Sequence, residues 1–153
     1  MLESLLNALG HAVVYAVLAG ALLIAAYYVL DLVTPGHLGR SLRGVDETGA
    51  ESVHAASRSA GLVTAAWLVS NAMVLFTAIW TNGATSLGWA LVWTLSFGVL
   101  GIALNAAMFF VVELVTPGDL RRIVTAPGPA RPLAYLAAAA AVSVGLIVCA
   151  SIA

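Results

Sequence analysis

Four long apolar stretches, roughly residues 5 to 33, 59 to 80, 87 to 115 and 132 to 153, follow one another along the chain between three polar separators. Each exceeds the roughly 18 residues that a helix needs to cross the hydrocarbon layer of a bilayer, so the pattern predicts four transmembrane helices. The separators differ in kind: a polar stretch from Thr34 to Arg58, a short uncharged turn from Thr81 to Ser86, and a Pro/Gly-rich connection from Thr116 to Arg131. The expected fold is all-α, a transmembrane bundle of four helices made of two helical hairpins. The first hairpin covers residues 1–80 with its connection at 34–58, and the second covers residues 81–153 with its connection at 116–131.

Arginine gives the bundle a direction. Arg40, Arg43 and Arg58 lie in or beside the first connection, Arg121, Arg122 and Arg131 in or beside the third, and the middle turn has no basic residue. Basic residues near helix ends resist translocation, so both long connections are expected on the cytoplasmic side of a bacterial plasma (inner) membrane, with the termini and the middle turn outside. The start Met-Leu-Glu-Ser lacks a positive n-region and its apolar run outlasts a normal h-region, which predicts an uncleaved first helix.

The two halves resemble each other. At an offset of 82, Asp31-Leu-Val-Thr-Pro-Gly-His-Leu38 falls over Glu113-Leu-Val-Thr-Pro-Gly-Asp-Leu120, with six identities in eight. Tyr27-Tyr28 falls over Phe109-Phe110, Ala21-Leu22 over Ala103-Leu104, and Arg40 over Arg122. The expectation is a tandem repeat of one hairpin. Two crossings per copy insert both copies in the same sense, related by a pseudo-twofold axis along the membrane normal.

A Thr-Pro after an apolar helix, an acid just before it and a second helix after it, all present twice, resemble the bacterial YjfL-like family. That family is a domain of unknown function whose unit is a two-helix membrane segment, often in tandem. The resemblance runs from about residue 10 to the end of the chain; His54-Ala55-Ala56 and Gly61 echo the family's second-helix start, from which Pro129-Ala130-Arg131-Pro132 departs. It implies a fold and a compartment, and no chemistry.

Composition agrees with a bilayer as solvent: 62% of residues are hydrophobic, 8% are charged, and the mean hydropathy is +1.04. Six arginines against seven acids give a net charge of -1, which argues against nucleic acid as a partner. The single cysteine, Cys149, has no partner for an intrachain disulfide and no metal-ligand spacing around it, so it is expected to pack between helices. His11, His37 and His54 do not form a facing pair for haem, and no cofactor or metal is expected.

Asp31 and Glu113 are the candidate ion or proton site, each three residues before Thr34 or Thr116 at the cytoplasmic end of a long apolar helix. A carboxylate there faces partial desolvation and the negative end of its own helix dipole. The competing interpretation pairs the acids with Arg40, Arg43, Arg121 or Arg122 at the headgroup level. In the repeated motif Thr34-Pro35-Gly36 and Thr116-Pro117-Gly118, Thr as N-cap and Pro at the first helical position would start a new helix, with Asp119 completing a capping-box-like pattern. Short interfacial helices are expected to follow, bearing Leu38, Arg40 and Leu42 in one half and Leu120, Arg121 and Arg122 in the other.

Inside the spans, Ser57, Thr64 and Asn71 recur every seven residues, and Gly98, Gly101 and Asn105 share a face. These are expected to be helix-packing seams. The run Ala137 to Ala141, with Gly145 beyond it, makes the last helix thin and suited to close approach. Most of the Trp and Tyr residues fall near span ends, as anchoring rings do. No phosphate loop, nucleophile elbow or His-Glu-x-x-His occurs, so no enzyme is expected.

Two functions fit. One is a non-enzymatic accessory or scaffold membrane subunit, which assembles with copies of itself or with another membrane protein. The other is a small cation- or proton-linked channel or transporter that uses Asp31 and Glu113. The accessory role leads because no charge lies mid-membrane.

Overall fold

The computed structural model describes residues 1–34, 38–45, 49–52, 54–82, 86–116 and 119–153. The chain forms α1 (Leu2–Val33), α2 (Leu38–Arg43), α3 (Arg58–Asn82), α4 (Leu87–Val115), α5 (Leu120–Thr125) and α6 (Pro132–Ile152). Among the described residues the extended backbone is limited to two isolated bridges. α1, α3, α4 and α6 are the four helices long and apolar enough to cross a membrane.

These segments are helical because they are rich in Leu and Ala and carry no proline past the first turn. Pro132 stands at the start of α6, where its missing N–H would lack a partner in any case. α6 has 21 residues, about 32 Å at 1.5 Å per residue, which matches the ~30 Å of hydrocarbon. α1 has 32 residues, about 48 Å, so it must tilt or project beyond the layer. Large apolar side chains such as Val13, Phe76, Val99 and Ile147 lie on the outside, as lipid-facing positions do.

Directions follow from the hydrogen bonds. The Arg131 N–H donates to Ser59 Oγ at 3.1 Å, and farther along both helices Ser70 Oγ donates to Ala141 O at 2.6 Å, so α3 and α6 run parallel. α4 runs back against α3, with Asn105 Nδ2 donating to Ser70 Oγ at 3.0 Å. α1 also runs antiparallel to α3, and Trp67 Nε1 donates to Ala26 O at 3.0 Å. Trp67, Leu30, Val63, Phe109, Ala134 and Ala137 belong to the core between them.

α1 joins this core late. Leu2, Leu5, Leu6, Leu9, Val13 and Val17 are all exposed, and the first buried residue is Leu22.

The two arginine-bearing connections lie together at one end. Ser57 Oγ donates to Val124 O at 2.7 Å, the Gly128 N–H to Ala56 O at 3.0 Å, and the Arg58 N–H to Gly128 O at 3.1 Å. Gly44, at φ +70°, turns the first connection where a Cβ would stand 3.0 Å from the Ala56 nitrogen, so the position requires glycine on both counts.

Candidate functional site

The repeated Thr-Pro motif acts differently from the sequence expectation. Thr34 Oγ1 donates to Leu30 O at 2.8 Å, and its N–H donates to the same carbonyl at 3.0 Å. Thr116 does likewise with Val112 O, at 2.6 Å for the hydroxyl and 3.0 Å for the N–H. Each threonine therefore closes the helix behind it, and among the described residues neither hydroxyl caps the one ahead. The proline that follows disfavours α geometry at the residue before it, so the helix stops there and the hydroxyl takes up a terminal carbonyl. Pro35, Gly36, Pro117 and Gly118 lie outside the described residues.

The next helices start at Leu38 and Leu120, two positions separated by the same 82 residues as the two threonines. Asp119 is at the N-cap of α5, not inside its first turn, and makes no side-chain capping bond; its Oδ2 stands 3.9 Å from Arg122 Nε.

Asp31 and Glu113 find separate partners. Asp31 Oδ1 accepts from the Leu38 N–H at 2.7 Å, which satisfies a free amide at the start of α2 from seven residues upstream. Glu113 Oε2 accepts from Arg121 Nε at 2.8 Å, and the Arg121 guanidinium carbon lies 4.9 Å from the centroid of the Phe110 ring. Both acids are half-buried. Beside Asp31, an open cleft of about 460 Å³ is lined by Tyr27, Tyr28, Gly39, Arg40 and Arg43.

Among the packing residues, Asn105 reaches across to α3, whereas Asn71 Nδ2 donates to Trp67 O of its own helix at 2.9 Å. Both amide oxygens are buried and have no hydrogen-bond partner among the described residues. A Cβ at Gly98 would meet Leu22 Cδ1 at 2.8 Å and Leu75 Cδ2 at 2.9 Å, and one at Gly101 would meet Val74 Cγ1 at 3.3 Å.

Ser70 escaped the sequence reading. It lies one position from the Thr64–Asn71 seam, and its hydroxyl joins α3, α4 and α6 by giving to Ala141 and accepting from Asn105. The signal was the spacing Trp67, Ser70, Val74, which puts all three on one buried face.

Among the described residues, no three His, Cys, Asp or Glu side chains come close enough to hold a metal ion.

Residues 4–152 match the family described as Domain of Unknown Function (DUF350). The chain belongs to the DUF350 family. Among the relatives of this DUF350 chain is a UPF0719 transmembrane protein of Mycolicibacterium paratuberculosis (strain ATCC BAA-968 / K-10). It is 27% identical over 115 residues, which is 75% of this chain and 69% of the relative. No solved structure matches. The DUF350 assignment and the four apolar helices make this a multi-pass membrane protein of an uncharacterised family, which is the level at which the resemblance read from the Thr-Pro motif holds.

Proposed function

We propose that the protein is a non-enzymatic accessory or scaffold subunit of a membrane assembly. It sits in a bacterial inner membrane with both arginine-bearing connections on the cytoplasmic side and its termini outside. The observation that carries this reading is how little space the core leaves around the buried Asn105. The cavity beside Asn105, bounded by Trp67, Phe109 and Ala141, measures about 10 Å³, room for one water at most. A hydrated cation finds no lined path there. Asp31 and Glu113 are engaged at the helix ends by a backbone amide and by Arg121, which argues against their serving as a relay.

The outer half of α1, apolar and largely exposed, supplies lateral surface for a second copy or another membrane protein. In this reading the hairpins are tandem copies inserted in the same sense. The equal offset between helix ends and the hydrogen bonds between the two connections support it.

Chemical crosslinking in membranes, followed by isolation in mild detergent, tests the assignment. The expected result is one reproducible stoichiometric partner or a defined homo-oligomer, together with absence of cation flux in liposomes. A cation flux that is lost in Asp31→Asn or Glu113→Gln would overturn it in favour of the transport reading.

A further inference from the structure

The two sequence-equivalent ends can be compared position by position. In the second half, Glu113 and the ring of Phe110 hold a guanidinium between them, that of Arg121. In the first half, 82 residues earlier, the corresponding positions are Asp31, Tyr28 and Gly39. The acid and the aromatic ring are kept in kind, and the residue that supplies the cation is replaced by glycine. The cleft of about 460 Å³ opens at this place, bordered by Gly39 itself.

Asp31 commits Oδ1 to the Leu38 amide, and among the described residues Oδ2 has no further partner. A carboxylate offers about four lone-pair sites, so acceptor capacity remains toward the cleft. Arg40 and Arg43, both exposed, also line it and make no ion pair among the described residues. Arg122, the counterpart of Arg40, has Asp119 nearby; the residue matching Asp119 in the first half is His37. The cleft thus offers a carboxylate and aromatic rings for one part of a ligand and two arginines for another. It lies at the end of a membrane-spanning helix, beside two tyrosines of the kind that sit at headgroup level.

We propose that this cleft binds the headgroup of a phosphoethanolamine lipid, with its ammonium on Asp31 and Tyr28 and its phosphate on Arg40 and Arg43. Arg121 shows the chemistry by which the same acid-and-ring pair takes a nitrogen cation. A primary ammonium donates hydrogen bonds to a carboxylate, whereas a quaternary ammonium has none to donate and prefers a cage of several rings. Among the described residues the cleft has one carboxylate and no cage of rings, so ethanolamine is favoured over choline. A lipid with phosphate but no cation, such as phosphatidylglycerol, leaves Asp31 unanswered. The proposal is independent of whether the protein is a scaffold or a transporter.

The test is native mass spectrometry and thermal unfolding of the detergent-purified full chain, titrated with short-chain phosphatidylethanolamine, phosphatidylcholine and phosphatidylglycerol. The expected result is retention of one phosphatidylethanolamine, about tenfold tighter than either of the others. Gly39→Arg, which installs the residue found in the second half, should abolish that preference. Its Cβ would lie 3.5 Å from Tyr27 Oη, an ordinary contact, so the variant is compatible with the fold.

Asp31→Asn is the second variant, able to keep the Leu38 bond through its amide oxygen; it should bring phosphatidylethanolamine and phosphatidylcholine to equal affinity. Equal binding of all three lipids by the unaltered chain, or an undiminished preference in Gly39→Arg, would overturn the site. Equal stabilisation by soluble glycerophosphoethanolamine at the same concentration would overturn the lipid as its occupant.

Discussion

Gly145 faces the backbone of Ser70, a point of close approach between α3 and α6. A Cβ at position 145 would lie 2.9 Å from Ser70 O and 3.1 Å from Ser70 Cα, atoms that move only if the helices part. Gly145→Ala is expected to destabilise the bundle by about 1–3 kcal/mol, measured as a lower unfolding temperature in detergent. Gly20→Ala on α1 is the contrasting case: a Cβ there meets nothing within 4 Å. It should be neutral or stabilising by up to ~1 kcal/mol through helix propensity. The sequence flagged Gly98, Gly101 and Gly145 alike as packing residues. Which of them faces backbone and which faces the ends of Leu or Val side chains depends on the neighbouring helix, and no local pattern carries that.

Helix ends were more legible than the groups that finish them. The apolar runs place the ends of α1 and α4 at Val33 and Val115, because a proline disfavours helical geometry at the threonine before it. Sequence reasoning assigned the threonines to the following helices, and the structure gives their hydroxyls to the preceding ones. The amide at the start of α2 is met by Asp31, from the last turn of α1. At the α1–α3 contact, Trp67 Nε1 donates to Ala26 O, a polar tie between the two helices. Trp67→Phe keeps most of the ring volume and is expected to lower stability by about 1 kcal/mol, read from chemical or thermal unfolding. An unchanged midpoint would mean that packing alone holds α1.

For the molecule as a whole, the contact between the two connections makes a prediction about sidedness. In a Cys149→Ala background, Arg40→Cys and Arg122→Cys should both be labelled by a membrane-impermeant thiol reagent from the same face, the cytoplasmic one under the proposed orientation. Labelling from opposite faces would contradict the hydrogen bonds that join Ser57 to Val124 and Arg58 to Gly128. The four crossings and their helical state follow from sequence alone. Apolar runs of this length are soluble only in hydrocarbon, and hydrocarbon leaves a backbone no way to satisfy its polar groups within one segment except the helix. Tertiary structure alone decided that Ser70 would tie three helices, that Glu113 would take Arg121, and that Asp31 and Gly39 would border one cleft. Those outcomes depend on which side chains meet across several ångströms between elements, and hydropathy along the chain records solvent preference but not partners.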